Sequence, residues 1–156
     1  MRARSSRATA RAQALRLLAR REHSRVELAT KLAARGHAPE EVAAALDSLA
    51  RDGLQSDARY AEAYARSRAE RGYGPLRIRA ELRERGVGEA EIALALAGLE
   101  ADWTAAAAAV RARRFGDALP EDPAGRARQG RWLRGRGFPD DVVRGVLRGW
   151  ETDDER

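Results

Sequence analysis

Residues 70–86, "ERGYGPLRIRAELRERG", contain the end of one helix, a turn, a complete second helix and its stop. Gly72 stops the first helix. Gly74 is the N-cap of the second, and Pro75 sits in its first turn, where a missing N–H costs nothing. Ile78 and Leu82 lie four residues apart and form its inward stripe. Gly86 ends it as a C′ glycine, which adopts the left-handed conformation cheaply. On this reading Gly-Tyr-Gly-Pro is joinery between two helices.

The same frame recurs along the chain. Arg35-Gly36, Arg85-Gly86 and Arg136-Gly137 are spaced 50 and 51 residues apart. Leu32, Leu82 and Leu133 precede the three glycines by four positions. Val42, Ile92 and Val143 follow them by six, and Leu46, Leu96 and Leu147 by ten. Leu49, Leu99 and Trp150 continue the register at thirteen. A period near 50 marks a repeat architecture.

Each unit reads as three helices. The first runs from Ala8 to Glu22, carrying Leu15 and Leu18. Ser24 then opens the second helix, with Glu27 completing a capping box. Leu28 and Leu32 face inward, and Pro39-Glu40-Glu41 opens the third helix with acids at the positive end of its dipole. His37, Val87 and Phe138 follow the three glycines, placed to fold back on the helix just left. In the second unit Ser56 or Asp57 caps a helix over 58–71, with Tyr60, Ala61 and Tyr64 inward, and Gly88-Glu89 opens the last helix. The third unit starts at Asp102-Trp103 and crosses a loop over 115–124. It resumes in a glycine-rich helix over 125–136 and ends near Trp150.

The expected architecture is all-α: three tandem three-helix repeats over 8–54, 55–101 and 102–150, elongated and curved. A basic tail, 1–7, precedes them and an acidic tail, 151–156, follows; both are read as disordered. Units of about 50 residues are marginal alone, so they must pack on their neighbours. The expected state is a monomer.

The chain has 156 residues, 35% charged and 5% aromatic, with a net charge of +6. Residues 1–22 hold seven arginines and one glutamate, which accounts for the whole excess. There is no cysteine, hence no disulfide or thiolate chemistry. No apolar run approaches the length that spans a bilayer, so a cytoplasmic protein without membrane partners is expected. Lys31 is the single lysine. It is followed by Leu32, so there is no phosphate-binding Gly-Lys-Ser/Thr loop. Two histidines, His23 and His37, with no cysteine cannot assemble a usual zinc set. The carboxylate pairs Glu40/Glu41 and Asp140/Asp141 stand at helix starts, where dipole compensation explains them. A protein that works by binding is expected, with no catalytic residues, metal or cofactor.

The basic helices are the candidate contact surfaces. Arg77, Glu81 and Arg85 lie at i, i+4, i+8, so the acid can serve both neighbours, and Glu62, Arg66 and Glu70 repeat that ladder on the preceding helix. Arg79 and Arg83 are like charges on one face with no acid placed to pair both. Arg126, Arg128, Arg131, Arg134 and Arg136 come with no acid between them and with Trp132 among them; Arg111, Arg113 and Arg114 precede them. Such an excess suits an acidic protein face or a phosphate backbone. The candidate partner-binding residues are Arg66, Arg68, Arg71, Tyr73, Arg77, Arg79, Arg83, Arg126, Arg128, Arg131 and Arg134.

Over Leu54–Val87 the chain resembles the RecX family of bacterial recombinase regulators. The matching positions are Leu54, Asp57, Tyr60, Ala61, Arg66, Arg68, Gly74, Pro75, Ile78, Glu81, Leu82, Gly86 and Val87. Upstream matches are Ala14–Leu18, Arg21–Ser24 and Glu27-Leu28. Downstream matches are Trp103, Arg114-Phe115-Gly116 and Arg136-Gly137-Phe138. The resemblance implies an all-α protein of tandem three-helix repeats that modulates RecA, mainly as an inhibitor. It implies association with the RecA–single-stranded DNA filament, in its groove or at its growing end. Extension, ATPase, strand exchange and co-protease activity would then be hindered. It implies structural roles for Asp57, Tyr60, Gly74, Pro75, Ile78, Glu81, Leu82 and Gly86, and no catalytic residues. Single- or double-stranded DNA stands as a further partner. An alternative reading takes Ser24–Leu54 as a winged helix-turn-helix that binds DNA, with a β-hairpin wing after Leu54.

Overall fold

The computed structural model describes residues 8–148. Among them are nine helices and no strand: α1 (Ala10–Leu18), α2 (Arg25–Ala34), α3 (Pro39–Arg51), α4 (Asp57–Glu70), α5 (Pro75–Glu84), α6 (Glu89–Gly98), α7 (Trp103–Phe115), α8 (Pro123–Gly135) and α9 (Asp140–Val146). The basic and acidic tails and Trp150 lie outside the described residues.

The helices group in threes because each trio shares one core. Leu28, Leu32, Val42, Leu46 and Leu49 close the first with Ala10 and Ala14. Tyr60, Ile78, Leu82, Val87 and Ile92 close the second. Val110, Leu133, Phe138, Val143 and Leu147 close the third. The close helix pairings, such as α1–α3, α4–α6 and α7–α9, all fall within a trio. Trp103 packs on both the second and third cores. Three small cores replace one large one, as in solenoid proteins.

The caps are those the residue types favour. Ser24 Oγ accepts from the Glu27 amide at 3.1 Å, and Ser56 Oγ from the Arg59 amide at 3.2 Å. Ser56, not Asp57, is therefore the N-cap of α4. Gly36, Gly86 and Gly137 have φ of 84°, 77° and 98°, the left-handed conformation of a helix stop. The residue after each, His37, Val87 and Phe138, is buried.

Three expectations change. The first helix ends at Leu18, short of Glu22. The segment after it turns away toward the second unit, where Glu22 binds Arg59 at 3.1 Å. The loop expected over 115–124 is shorter at both ends. α7 runs through Phe115, and Pro123 opens α8 behind an N-cap, Asp122, whose carboxylate accepts from the Gly125 amide at 3.0 Å. The wing of the alternative reading does not exist: the chain passes from α3 through a short turn into α4.

The junctions between trios are close and fall at equivalent positions. Ser24 Oγ, at the start of α2, donates to the carbonyl of Arg85 at the end of α5 at 2.9 Å. A Cβ on Gly86 would collide with Val26. One unit on, the Gly74 amide at the start of α5 donates to the carbonyl of Arg136 at the end of α8 at 2.8 Å, and the Leu76 amide to Gly137 at 3.0 Å. A Cβ on Gly137 would collide with Arg77. The middle helices α2, α5 and α8 thus meet N-terminus to C-terminus, positive dipole end against negative.

Candidate partner-binding surface

The arginines divide into those that build the molecule and those left facing solvent. Arg68 binds Glu81 through Nε at 3.0 Å and Nη2 at 3.1 Å, a bidentate pair between α4 and α5. Glu81 also accepts from the Tyr64 hydroxyl at 3.2 Å, and Arg77 reaches it at 4.0 Å. Arg85 does not share that carboxylate. It donates to the Glu81 backbone carbonyl and lies over the Tyr64 ring at 4.7 Å. The expected ladder along α5 is therefore a cross-helix clamp.

Tyr73 sits among three guanidinium groups: Arg68 at 3.7 Å, Arg136 at 3.9 Å and Arg77 at 4.6 Å from its ring centre. Arg136 comes from the third unit and donates to the carbonyls of Arg71 at 2.8 Å and Gly72 at 3.3 Å. Arg77 returns the contact by donating to the Gly135 carbonyl at 3.2 Å. The Gly-Tyr-Gly-Pro turn is thus more than joinery between α4 and α5: it is the junction between the second and third units. Stacking on Tyr73 and donation to helix-end carbonyls offset the crowding of like charges.

Arg79 and Arg83 do have a common acid. Glu89, in the first turn of α6, pairs with Arg79 at 3.5 Å and is held by both Nε and Nη2 of Arg83. The Arg83 guanidinium holds the Glu89 carboxyl below its ordinary pKa, and Glu89 raises that of Arg83. Arg134 likewise binds Asp140 at 3.2 Å across the corresponding turn of the third unit. The arginine and its acid are six residues apart in both places, a signal legible in the sequence once the repeats are aligned. Glu62 and Arg66 form no ion pair among the described residues and instead line a surface hollow with Leu99.

The third-unit arginines are not one face. Arg111 is buried, donating to the carbonyls of Gly116, Asp117 and Ala118 and to Gln129 Oε1, and so pins the α7–α8 loop. Arg126 donates to the Glu121 carbonyl at 3.1 Å. Trp132 is half-buried against the third core, with Phe115 edge-on at 5.3 Å. Of the candidate residues, Arg66, Arg71, Arg128 and Arg131 are exposed with guanidinium groups unpaired among the described residues.

Asp57 accepts from the Arg25 amide at 2.9 Å and from Gln55 Nε2 at 3.0 Å, joining the first unit to the second. Tyr60 is buried beside Glu27 of the first unit; burial first, then the neighbouring carboxylate, raises its pKa. Pro75 is the first residue of α5, Ile78 and Leu82 are fully buried, and Gly86 holds Val26.

Family models for the first, second and third three-helix domains of RecX match residues 10–49, 56–96 and 100–147. The chain belongs to the RecX family. It is 52% identical to the regulatory protein RecX of Halorhodospira halophila, over 92% of this chain and 89% of that one. It is 50% identical to that of Chromohalobacter salexigens, over 93% and 95%. Among solved structures, a RecX crystal structure from Lactobacillus salivarius superposes with a TM-score of 0.75 at 21% identity, covering 88% of this chain and 91% of that one. A second RecX crystal structure gives 0.77 at 26% identity, over 88% and 70%. The RecX relatives carry the name of regulatory proteins, and this chain is a regulator of that family. No single helix among its described residues is long and apolar enough to cross a membrane.

Proposed function

We propose that this chain regulates RecA recombinase, mainly as an inhibitor, by binding the RecA–single-stranded DNA filament. Bound in the groove or at the growing end, it hinders extension, ATPase, strand exchange and co-protease activity. It acts as a monomer in the cytoplasm and carries out no chemistry of its own. One observation supports this above the rest: the start of α2 bonds to the end of α5 and the start of α5 to the end of α8, so the same junction recurs from unit to unit. A repeating surface suits a repeating partner, whereas a small ligand calls for one enclosed pocket. Exposed arginines such as Arg66, Arg71, Arg128 and Arg131 supply attraction toward an acidic partner.

The test is recombinase ATPase on single-stranded DNA, titrated with this protein beside a mobility shift on DNA alone. ATPase should fall at near-stoichiometric protein, with the purified regulator itself hydrolysing nothing. Unaltered ATPase, or nucleotide turnover by the protein alone, would overturn the reading.

A further inference from the structure

Both internal junctions set the start of a middle helix on an Arg-Gly helix end. Arg85 receives Ser24, and Arg136 receives Gly74. A third such end, Arg35-Gly36, closes α2, and no helix start among the described residues is set on it. The Arg35 carbonyl has no donor among the described residues, whereas its counterparts each have one.

Beside it lies a hollow of about 300 Å³ lined by Gln13, Arg16, Leu17, Arg20 and Arg35. The corresponding place on the second unit, at Ala63, Tyr64 and Ser67, is bordered by Arg21 and Glu22 of the first unit. There the preceding unit supplies one wall, with the acid of Glu22 in it. Arg16, Arg20 and Arg35 are exposed and form no ion pair among the described residues. One basic residue near a helix C-terminus is ordinary dipole compensation. Three around a concavity exceed it.

We infer that this free end of the first unit is a docking seat for the acid-bearing start of a helix on the protein component of the filament. The inference rests on the filament-binding function proposed above. The seat asks for two things at once. Its arginines can take acceptors, and the Arg35 carbonyl can take a donor. A phosphate backbone offers acceptors only. A helix N-terminus led by Asp or Glu offers free N–H groups together with a carboxylate. The chain's own residues 1–7 carry three arginines and no acid, so like charge opposes their occupying it.

The test compares three full-length proteins: wild type, the triple variant Arg16→Glu/Arg20→Glu/Arg35→Glu, and a control, Arg51→Glu/Arg144→Glu/Arg148→Glu, with the same change in net charge. Fluorescence anisotropy measures binding to recombinase filaments held on single-stranded DNA by a non-hydrolysable nucleotide, and to that DNA alone. The first triple variant should bind filaments at least ten-fold more weakly, the control within two-fold of wild type, and DNA alone should be bound as before. If melting shows the glutamate variant misfolded, the Gln triple variant takes its place.

Equal losses in both triples would reduce the effect to net charge and overturn the seat. A parallel loss on DNA alone would make the occupant nucleic acid. Tighter filament binding after deletion of residues 151–156 would make it the chain's own acidic end. A wild-type dimer in sedimentation that the first triple variant dissolves would make it a second copy. Each of these overturns the proposal. Filament binding retained by the first triple variant sinks the seat alone, while absence of wild-type binding sinks the filament reading as well.

Discussion

The amide of Gly74 donates to the carbonyl of Arg136 at 2.8 Å, so the turn that starts α5 is bonded to the residue that ends α8. The approach is close enough that a Cβ on Gly74 would lie 2.5 Å from the Gly137 carbonyl carbon and oxygen. Neither is the tip of a flexible side chain that could swing aside.

Gly74→Ala should therefore destabilise the protein by about 1–3 kcal/mol, as overpacking does. Pro75→Ala should alter stability by less than about 1 kcal/mol, since proline there mainly restricts the unfolded chain. Urea midpoints of the two single variants check this. Equal, small shifts would mean that the junction yields without strain.

Ser24→Ala removes two bonds, the cap to Glu27 and the donation to Arg85, at a fully buried site. A loss of about 2 kcal/mol is expected, because the cap goes and a partly buried carbonyl loses its donor. Ser56→Ala removes only a cap and should lose about 1 kcal/mol. Matching denaturant midpoints for the two would show that the inter-unit bond contributes nothing measurable.

Glu89→Gln frees Arg79 and Arg83 together. Arg83 and Glu89 are exposed and Arg79 is partly so, so the melting temperature should hardly move. If the α5 face meets the filament, inhibition should strengthen two-fold or more, and Arg79→Gln/Arg83→Gln should weaken it. Unchanged inhibition in both variants would assign that face to solvent and leave Arg128 and Arg131 as the leading contacts.

His23 is buried, with Nδ1 donating to the Arg21 carbonyl at 3.0 Å and Nε2 accepting from Lys31 at 3.1 Å. Desolvation is the largest cause of a pKa below the ordinary 6.5; nearby Arg21 and Lys31 add to it, against Glu27 and the Arg21 hydrogen bond. Between that lowered value and 6.5 the unfolded chain binds the extra proton, so stability falls as pH drops through this window. Thermal midpoints should decline from pH 7 to pH 5, and His23→Gln should flatten the decline. An equally steep profile in the variant would place the titrating group elsewhere.

The fold was legible because its signals are local. Leu32, Leu82 and Leu133 with the glycines four positions on mark the same helix end three times, and Ser24, Pro75 and Asp102 mark starts. The end of α1 was not legible, since no glycine follows Leu18 and the chain is drawn off by a contact with Arg59 of another unit. The surface was harder for the same reason. Arg68 looks free along its own helix, yet it binds Glu81 of the next one, and Arg77, paired with Glu81 in the sequence, also reaches Tyr73 and a carbonyl of the third unit. Arg111 resembles its exposed neighbours in sequence and is buried by a loop whose course the residue types do not dictate. Glu89 alone could have been found, from its spacing to Arg83 and the matching Arg134–Asp140 pair.

Because α2, α5 and α8 are joined in the same sense at both junctions, the molecule has polarity. One end presents a helix's spare carbonyls and the other a helix start. Such a body cannot be reversed on itself, so on a track that also has direction it can seat in one orientation only. A copy arriving the wrong way round would bring acceptors to acceptors. If the filament is the partner, the way the units are joined would favour one direction of binding before any single side chain makes contact.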